Sequence, residues 1–513
     1  MEAAGALGRG SLSTYLEAIG DAVRARSRTF WIVVGLTVLA AGLRFLTLGL
    51  QSYHHDEIVT ASRVLRGSFW HAMDAVGFSE SAPPLYYALA WLWTQVTGTG
   101  EFGLRSFSAL AGVATVPVAY FLGAELRDRR AGLLAAALVA VNPMLVWYSQ
   151  EGRAYALLAL LSALSLLYFV RVLNGGRRRD AIAWGGISAL ALATHYFAAF
   201  PIAVEAIWLL LRRRRESLSG FSVLAAGTLL LAPLALHQMS YGHAQWISNI
   251  TLGHRLWETG LTFLVGETGD IIAQPERPLL GLVPALLALA SLMLIGWRAD
   301  SGERRAAAIP LAVVAVCVGV PLGLGLLDPA KDYVLARNLM PALVPLLVAI
   351  AIGLSLRRAR RTGTVLATAL LVYSLGFSIW ASVSPGLQRP DWDPVAAKLG
   401  EPTVPRAVVT WTLGAASLRY YLSTGSFQAH PSEGFEWWVG EIDFISDGPA
   451  SPPARRLIGP GFRQVGYERV GRLYVRRYIT PGPDLKRLRL RPVRKAELGF
   501  RSNGVLLDGM GPP

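Results

Sequence analysis

Residues 127–179 read RDRRAGLLAAALVAVNPMLVWYSQEGRAYALLALLSALSLLYFVRVLNGGRRR, and this stretch contains the pattern that decides the fold. Its two apolar runs, at 131–150 and 154–171, are close to the roughly 20 residues that a helix needs to cross a bilayer. Arginine clusters flank the pair, and Lys and Arg in short loops gather on the cytoplasmic side of membrane proteins. The stretch therefore predicts a helical hairpin whose polar turn, 149–153, lies on the outer side.

The same alternation continues along most of the 513-residue chain, in which 53% of the residues are hydrophobic and 16% are charged. An average soluble domain has roughly a quarter charged residues, so the composition excludes a soluble globular protein. The net charge of +15 indicates membrane topology rather than nucleic-acid binding. The single cysteine, Cys317, excludes a disulfide framework within the chain. Arginine clusters mark six cytoplasmic segments, at 24–28, 127–130, 177–179, 212–215, 298–305 and 357–361.

We therefore predict an α-helical polytopic membrane protein with about eleven transmembrane helices. One helix over 181–211 would be about 46 Å long, which exceeds the bilayer core, so a tight hairpin near His195 is predicted instead. The short apolar segment 84–96 does not fit this alternation of inner and outer loops, because it falls inside the first outer loop. It is predicted to be an interfacial helix, with a twelfth span as the alternative. The predicted spans are 30–50, 104–126, 131–150, 154–171, 181–196, 197–211, 221–238, 278–297, 306–327, 339–356 and 363–383.

The domain organisation follows from this topology. Residues 1–29 form a cytoplasmic N-terminal segment, and residues 30–383 form the transmembrane domain, whose first outer loop, 51–103, has interfacial helices. After residue 383 the sequence becomes Pro-rich and charged with β-like runs, so 384–502 is predicted to be a small extracytoplasmic α/β domain. Residues 503–513 are predicted to be a disordered tail. The expected location is the plasma membrane.

Three carboxylates, Asp56, Glu57 and Glu80, lie in the first outer loop at the membrane boundary. A carboxylate there can accept a proton from a substrate hydroxyl or ligate a divalent cation, and solvated loop charge is the alternative. His54 and His55 precede Asp56, although adjacent side chains seldom converge on one ion without further ligands. No cofactor is required by the sequence, and a divalent cation near Asp56 stays open.

Several short strings follow one another in a fixed order over residues 40–355. They are RFLTLGL at 44–50, DE at 56–57, PPLYY at 83–87, LRS at 104–106, YSQEGRAYAL at 148–157, THY at 194–196 and RNLMP at 337–341. In this order the chain resembles the GT-C superfamily of membrane glycosyltransferases. Within that superfamily it is similar to the protein O-mannosyltransferases, the aminoarabinose lipid A transferases and the Rgt-type sugar transferases, so a GT-C fold is expected.

The resemblance implies an enzyme that moves a sugar from a polyprenyl phosphate carrier to an acceptor hydroxyl on the outer face. Asp56 matches the first-loop acid of the family and is expected to act as general base or to orient the acceptor, with Glu57 supporting it. Glu80 occupies the position of an acid in the aminoarabinose transferases, but Ser81 stands where those enzymes have a lysine. Ala82 replaces the histidine common in the mannosyltransferase branch, which weakens a protein O-mannosylation assignment.

The resemblance also implies residues that bind the substrate. Arg153 and Arg337 are expected to hold the departing lipid phosphate, because guanidinium groups stabilise developing phosphate charge. Many relatives have an Asp where Tyr155 stands, so the second carboxylate stays open, with Glu151 as a substitute. The complete expected set is Arg153, Tyr155, Glu151, His195, Tyr333 and Arg337.

Two alternatives accompany this hypothesis. A polytopic transporter or flippase of a lipid-linked or polar substrate would usually need ionisable groups near the middle of the membrane. Few charges fall inside the predicted spans apart from Arg44, which lies towards the outer half of the first one. The D-x-D string at 391–393 resembles a nucleotide-sugar motif but is predicted to be a helix start. The expected partners are the donor lipid, membrane lipid and a glycan, glycolipid or protein acceptor, without nucleic acid. The sequence does not identify the sugar or the acceptor.

Overall fold

The structure is a computed structural model of the chain. It describes residues 9–240, 247, 250–268, 278–328, 333–422, 427–429, 436–449, 461–482, 486–489 and 503–508. The chain divides into two compact units. Unit 1 consists of Met1–Leu46, Val76–Tyr86 and Ser106–Ile379, and unit 2 consists of Thr47–Ala75, Tyr87–Arg105 and Trp380–Pro513.

Unit 1 is mainly helical. Its loops start helices by side-chain capping: the Asp128 carboxylate accepts the Ala131 N–H at 2.9 Å, and Asp300 and Glu303 form a reciprocal capping box. Both capping acids lie in arginine-rich segments that the sequence marks as loops. The helices are Arg9–Phe45, Glu101–Leu126, Arg129–Val141, Pro143–Ser149, Tyr155–Leu173, Arg178–Thr194, Ala199–Arg212, Arg214–Met239, Leu252–Val265, Pro278–Arg298, Ser301–Leu327, Met340–Ser355 and Arg360–Val383.

In the described part of the chain, seven helices are long and apolar enough to cross a membrane, or eight if a bent pair forms one span. Each of the eleven predicted spans has a helical counterpart in the structure. The three that fall short, Arg178–Thr194, Ala199–Arg212 and Met340–Ser355, have 17, 14 and 16 residues. The helical membrane class is therefore confirmed, whereas the count of eleven stays a prediction.

The bent pair consists of helices Arg129–Val141 and Pro143–Ser149, and it shows how a buried arginine stabilises a broken helix. The axis turns by 55° at the break before Pro143. Proline has no N–H, so the carbonyl of Val139 lacks its helical donor. Arg44 supplies the missing donors: its guanidinium lies 3.2 Å from the Val139 oxygen, 2.9 Å from the Ala140 oxygen and 3.1 Å from the Ser149 hydroxyl. The fully buried charge of Arg44 thereby fixes the start of the turn at 149–153.

The hairpin predicted near His195 is present. Helix Arg178–Thr194 ends there, a short 3-10 turn follows, and helix Ala199–Arg212 begins. Helix Arg178–Thr194 also contacts the helix that follows the hairpin, because a Cβ at Gly185 would lie 2.1 Å from the Gly220 carbonyl oxygen. Small residues that let two backbones approach closely are typical of helix packing in membranes.

An acid lies inside the second helix of this hairpin. Glu205 is fully buried, and its Oε2 accepts hydrogen bonds from Ser165 Oγ at 2.5 Å and from Trp184 Nε1 at 2.8 Å. Ser165 also lies 2.8 Å from the Ser188 hydroxyl. Glu205 therefore joins three helices through polar contacts, and Arg44 is not the only ionisable group of consequence within the predicted spans.

Unit 2 contains a mixed sheet, which confirms a small C-terminal sheet domain. The strands are β1 Arg406–Trp411, β2 Phe427–Ala429, β3 Glu436–Val439, β4 Glu441–Asp447, β5 Arg463–Val470, β6 Leu473–Ile479, β7 Lys486–Arg489 and β8 Asn503–Asp508. Six strands pair in the order β2-β8-β1-β4-β6-β5, in which only β1 and β4 are parallel, and β3 pairs with β7. The helices lying entirely within unit 2 are His55–Val59, Trp392–Leu399 and Thr412–Tyr421.

The core of the sheet domain lies around β1. Trp392 and Leu418, from its two helices, are buried in one cluster with Val408 of β1, Leu473 of β6 and Leu506 of β8. Each fully buried side chain of this size contributes roughly 1.5–3 kcal/mol. The β-like runs therefore form strands, and their apolar residues line one face of a sheet.

Two boundary predictions can be compared with the structure. The disordered tail 503–513 is wrong for residues 503–508, because β8 pairs with β1 and β2 and buries Leu506; residues 509–513 lie outside the described part. The apolar run of β8 is short and follows a long polar stretch, so its periodicity is a weak signal. The segment 84–96 forms helix Leu85–Thr97, whose 13 residues are about 20 Å long, and its interfacial placement stays a prediction.

Candidate active site

The first-loop acid Asp56 lies in the short helix His55–Val59 of unit 2. Its Oδ1 is 3.3 Å from Nε2 of His55, and the Asp56 side chain is 23% exposed, so solvent can reach it. The rings of His54 and His55 have centroids 3.8 Å apart. Desolvation, with the neighbouring His55, holds the pKa of His54 well below its ordinary value, so this imidazole is neutral.

The adjacent acid, Glu57, has a different environment. It is fully buried, its Oε1 and Oε2 each accept a hydrogen bond from the Arg105 guanidinium at 2.8 Å, and its Oε2 also accepts the His54 N–H at 2.9 Å. Arg105 further donates to the carbonyl oxygens of Leu48, Gln51 and Ser52. The pair therefore fixes the backbone on both sides of Asp56.

The C-terminal domain fixes the same loop from a second direction. Asp391 immediately precedes helix Trp392–Leu399, as predicted, and its carboxylate accepts the Ser52 N–H at 3.1 Å. The Tyr53 N–H donates to the Tyr421 hydroxyl at 2.6 Å, which in turn donates to Glu101 at 2.7 Å. The D-x-D string thus contributes to holding the loop rather than forming a nucleotide-sugar motif.

Unit 1 has a second acid and arginine pair. The Arg153 guanidinium contacts both carboxylate oxygens of Glu80, at 2.9 Å and 3.1 Å. Glu80 is buried, whereas the Arg153 side chain is 14% exposed. The Ser108 hydroxyl donates to the Arg153 carbonyl at 3.3 Å and lies 3.0 Å from the Tyr86 hydroxyl, so the PPLYY helix supports this turn. Arg153 is thereby held in place while part of its side chain stays exposed.

Aromatic rings connect Arg153 with the other predicted residues of unit 1. Tyr155 lies 6.0 Å from His195 between ring centroids, and Phe197 lies 5.5 Å from His195 and 6.3 Å from Tyr333. The guanidinium groups of Arg153 and Arg337 are both within electrostatic range of His195. The Arg153 N–H also donates to the carbonyl of Glu151 at 2.8 Å. The structure therefore brings together, in unit 1, Glu80, Glu151, Arg153, Tyr155, His195, Tyr333 and Arg337.

Two contributors escaped the sequence analysis, Glu267 and Arg255. Glu267 accepts a hydrogen bond from the Tyr148 hydroxyl, whose ring contacts Tyr155 at 4.9 Å, and both Glu267 and Arg337 lie within electrostatic range of Tyr148. Arg255 is buried and donates to the Val334 carbonyl at 3.0 Å, which fixes the loop before Arg337. The sequence signal was weak: Glu267 follows the short amphipathic helix Leu252–Val265 and has no acidic neighbour within its turn.

Comparison with known proteins agrees with this architecture. Residues 81–238, which include Arg153, Tyr155 and His195, match the family model described as dolichyl-phosphate-mannose-protein mannosyltransferase. An oligosaccharyltransferase of Archaeoglobus fulgidus, solved with a tethered acceptor peptide, aligns with a TM-score of 0.50 at 14% identity over 73% of this chain and 57% of that one. The chain therefore shares the fold of the GT-C membrane glycosyltransferases, and residues 81–238 match one of their family models.

Other GT-C structures are more distant. ArnT of Cupriavidus metallidurans, bound to undecaprenyl phosphate, aligns with a TM-score of 0.34 at 14% identity over 89% of this chain and 100% of that one. The S. cerevisiae Pmt1-Pmt2 complex, bound to its sugar donor, aligns with a TM-score of 0.33 at 21% identity over 41% and 32%. No curated protein matches the chain in sequence. This GT-C protein spans just over half the length of the archaeal oligosaccharyltransferase, and the predicted resemblance is confirmed at superfamily level.

Proposed function

We propose that this GT-C protein transfers a sugar from a polyprenyl phosphate carrier to an acceptor hydroxyl on the outer face of the plasma membrane. The acceptor class is a glycolipid, a cell-wall glycan or a protein. The C-terminal sheet domain lies on the same outer side in this proposal. Sugar transfer is favoured over transport because the family match and the fold both belong to glycosyltransferases.

One observation supports the proposal most strongly. The stretch that matches a family named for a dolichyl-phosphate-linked sugar, 81–238, supplies Arg153, Tyr155 and His195, which lie close together in the structure. Arg337, from outside that stretch, is within electrostatic range of the same histidine. Two guanidinium groups near one another can hold a phosphate through charge-assisted hydrogen bonds.

The proposed step is a displacement at the anomeric carbon. The acceptor oxygen forms the new glycosidic bond while the bond from that carbon to the phosphate oxygen breaks, and the departing polyprenyl phosphate keeps the electron pair. Asp56 accepts the hydroxyl proton, because an alcohol is a weak nucleophile until its proton is removed. Arg153 and Arg337 stabilise the charge that develops on the phosphate. Back-side attack inverts the anomeric configuration.

The other two acids have supporting parts in this scheme. Glu57 does not reach the acceptor, since Arg105 and the His54 N–H occupy both of its carboxylate oxygens, and it positions the Asp56 turn. Glu80 orients the guanidinium of Arg153 through two contacts. Tyr155, His195 and Tyr333 provide ring surfaces beside the phosphate, and Glu151 lies in the same turn as Arg153.

The test is a donor screen with a matched pair of variants. Purified protein in lipid is incubated with a panel of polyprenyl phosphate sugars and acceptor extracts, and sugar-dependent release of polyprenyl phosphate is measured. We expect release from one donor class, reduced at least a hundredfold in Asp56→Asn, which is nearly isosteric. The control, Asp74→Asn, changes an exposed acid of the same loop and should keep wild-type activity.

The outcomes separate the two functions. Release lost in a folded Asp56→Asn protein and kept in Asp74→Asn supports the transferase and names the sugar. Absence of release with every donor and extract, together with movement of a lipid-linked substrate across sealed vesicles, would contradict it in favour of transport.

A further inference from the structure

One face of the sheet domain has an exposed layer of tyrosine and arginine side chains. Strand β5 is an edge strand of the six-stranded sheet, and most of its residues are exposed. In the β5–β6 pairing, Tyr467 lies opposite Arg476, and Arg469 lies opposite Tyr474. Residues that pair across strands lie on the same face of a sheet, as do residues two positions apart along one strand. These four side chains therefore share one face, and we call them the tyrosine–arginine patch.

The side chains of the patch stack on one another. The rings of Tyr467 and Tyr474 have centroids 5.8 Å apart, and their planes are inclined by 25°. The guanidinium carbon of Arg476 lies 4.0 Å from the centroid of the Tyr467 ring, and that of Arg469 lies 5.8 Å from the Tyr474 centroid. A guanidinium that stacks on a ring keeps its N–H donors in its own plane, directed away from the ring face. Stacking therefore orders both cations before a ligand arrives, which lowers the entropy cost of binding.

The charge that the strands place on this face is positive. The acid of β5, Glu468, points to the opposite face, where its carboxylate pairs with Lys398 at 2.7 Å. Within the described strands β4, β5 and β6, none of the residues on the face of the patch is acidic. Tyr467 is 44% exposed and Arg469 is exposed, so solvent reaches both kinds of side chain. The patch is therefore an accessible surface whose charge is complementary to an anion.

The chemistry of the patch fits a sugar polymer with acidic groups. Guanidinium groups bind carboxylates through two parallel N–H···O bonds. A tyrosine ring has an apolar face and a polar hydroxyl, and a sugar ring likewise has C–H faces and hydroxyl groups. Arg469 and Arg476 lie two residues, or about 7 Å, apart along the strands, so an extended chain can meet both with separate acidic groups. A lipid surface would instead require large apolar side chains that enter the bilayer, whereas the large rings here are tyrosines.

We propose that the tyrosine–arginine patch binds an acidic polysaccharide, with the arginines on its carboxylates and the tyrosine rings against its sugars. The binding itself does not depend on the proposed sugar transfer, whereas the identity of this glycan as the acceptor rests on it. In that case the patch raises the local concentration of the acceptor. Loss of the patch should then raise KM for a polymeric acceptor and leave kcat unchanged.

The experiment measures binding to the full-length protein in nanodiscs of zwitterionic lipid. Fluorescent oligogalacturonate is titrated and followed by anisotropy, and a neutral malto-oligosaccharide and polyaspartate of matched length are tested as competitors. We expect oligogalacturonate to bind at least tenfold more tightly than either competitor, and more weakly as salt is added. Its affinity should fall at least tenfold in Arg469→Gln and in Tyr467→Leu. The control is Arg463→Gln, which removes an exposed arginine of the same strand on the other face, opposite Ile479, and should bind as wild type does.

Four outcomes would overturn the proposal. They are absence of oligogalacturonate binding, equal affinity for polyaspartate, equal affinity in wild type and in Arg469→Gln of unchanged Tm, and equal loss in Arg463→Gln. Binding to phosphatidylglycerol vesicles that Arg469→Gln abolishes, without oligogalacturonate binding, would assign the face to lipid instead. The sugar-release assay distinguishes this proposal from the transferase itself. Sugar release without oligogalacturonate binding refutes the patch alone, and oligogalacturonate binding without release from any donor refutes the transferase alone.

Discussion

Two acid and arginine pairs near the proposed chemistry look alike in the sequence and differ in the structure. In unit 2, Glu57 and Arg105 are 0% and 1% exposed, and Arg105 also donates to three backbone carbonyls. In unit 1, Glu80 is 2% exposed, but Arg153 keeps 14% of its surface accessible. The first pair is closed to solvent, whereas the arginine of the second pair is partly exposed.

The two ion pairs therefore differ in the burial of the arginine rather than in the presence of an acid partner. A guanidinium has five donors in a fixed fork. Glu57 and three carbonyls occupy those of Arg105, which is buried, whereas Arg153 is bonded to Glu80 and keeps part of its side chain exposed. This difference in burial is the reason why the proposal gives Glu57 a positioning role and Arg153 a phosphate-binding role.

The largest effect is expected at the pair of Glu57 and Arg105, which we call the closed pair because both side chains are buried. Glu57→Gln leaves the buried charge of Arg105 without its carboxylate, and breaking a buried pair in this way costs about 3–5 kcal/mol. We expect the free energy of unfolding, measured by denaturant in detergent, to fall by that amount. Asp74→Asn, in the same loop, should change it little. Wild-type stability in Glu57→Gln would contradict the structural assignment.

The pair of Glu80 and Arg153 is called the open pair, because its arginine is partly exposed. A smaller loss of stability and a larger loss of activity are expected there. In Glu80→Gln, water can still solvate part of Arg153, so the unfolding free energy should fall by less than half as much as in Glu57→Gln. Because Arg153 loses its orientation, kcat/KM for the donor should fall by about tenfold, or 1.4 kcal/mol. Both quantities are measured on the same preparation. A stability loss equal to that of Glu57→Gln would show that the two pairs do not differ.

These pairs also show how far the sequence alone leads. Arginine clusters and apolar runs are repetitive and local, so they predicted the helices, the hairpin at His195 and the C-terminal domain. The outer acids and arginines were found because they stand at the ends of apolar runs. Which acid meets which arginine was not predictable, since Glu57 is 48 residues from Arg105 and Glu80 is 73 residues from Arg153. Glu267 was missed for the same reason, because it meets Tyr148 across 119 residues.

A third acid and arginine pair, Asp443 and Arg477 in the sheet domain, should make the stability of the protein depend on pH. The effect is expected to be smaller than those at the first two pairs. Asp443 is fully buried and bonded to Arg477 at 2.9 Å, yet desolvation, with the nearby Glu441, raises the pKa of Asp443 to about 7. The folded state therefore binds this proton more tightly than the unfolded state, and its stabilising effect is lost as pH rises from about 4 through 7.

The corresponding measurement compares Asp443→Asn with wild type between pH 5 and pH 8. The wild type should lose stability as the pH rises, with a limiting slope of about 1.4 kcal/mol per pH unit below pH 7. Asp443→Asn has no carboxyl to ionise there and should show a flatter profile of Tm against pH. Parallel profiles for the two proteins would mean that Asp443 is ionised in the folded state throughout this range.

The central claim is that the accessible arginine of the open pair holds the phosphate of the lipid carrier. The most direct measurement is the Kd of polyprenyl phosphate for wild type and Arg153→Gln in nanodiscs, with Tm recorded for both. The account predicts at least tenfold weaker binding by Arg153→Gln, with a Tm that stays well above that of Glu57→Gln. Equal affinity for polyprenyl phosphate in folded Arg153→Gln would contradict it.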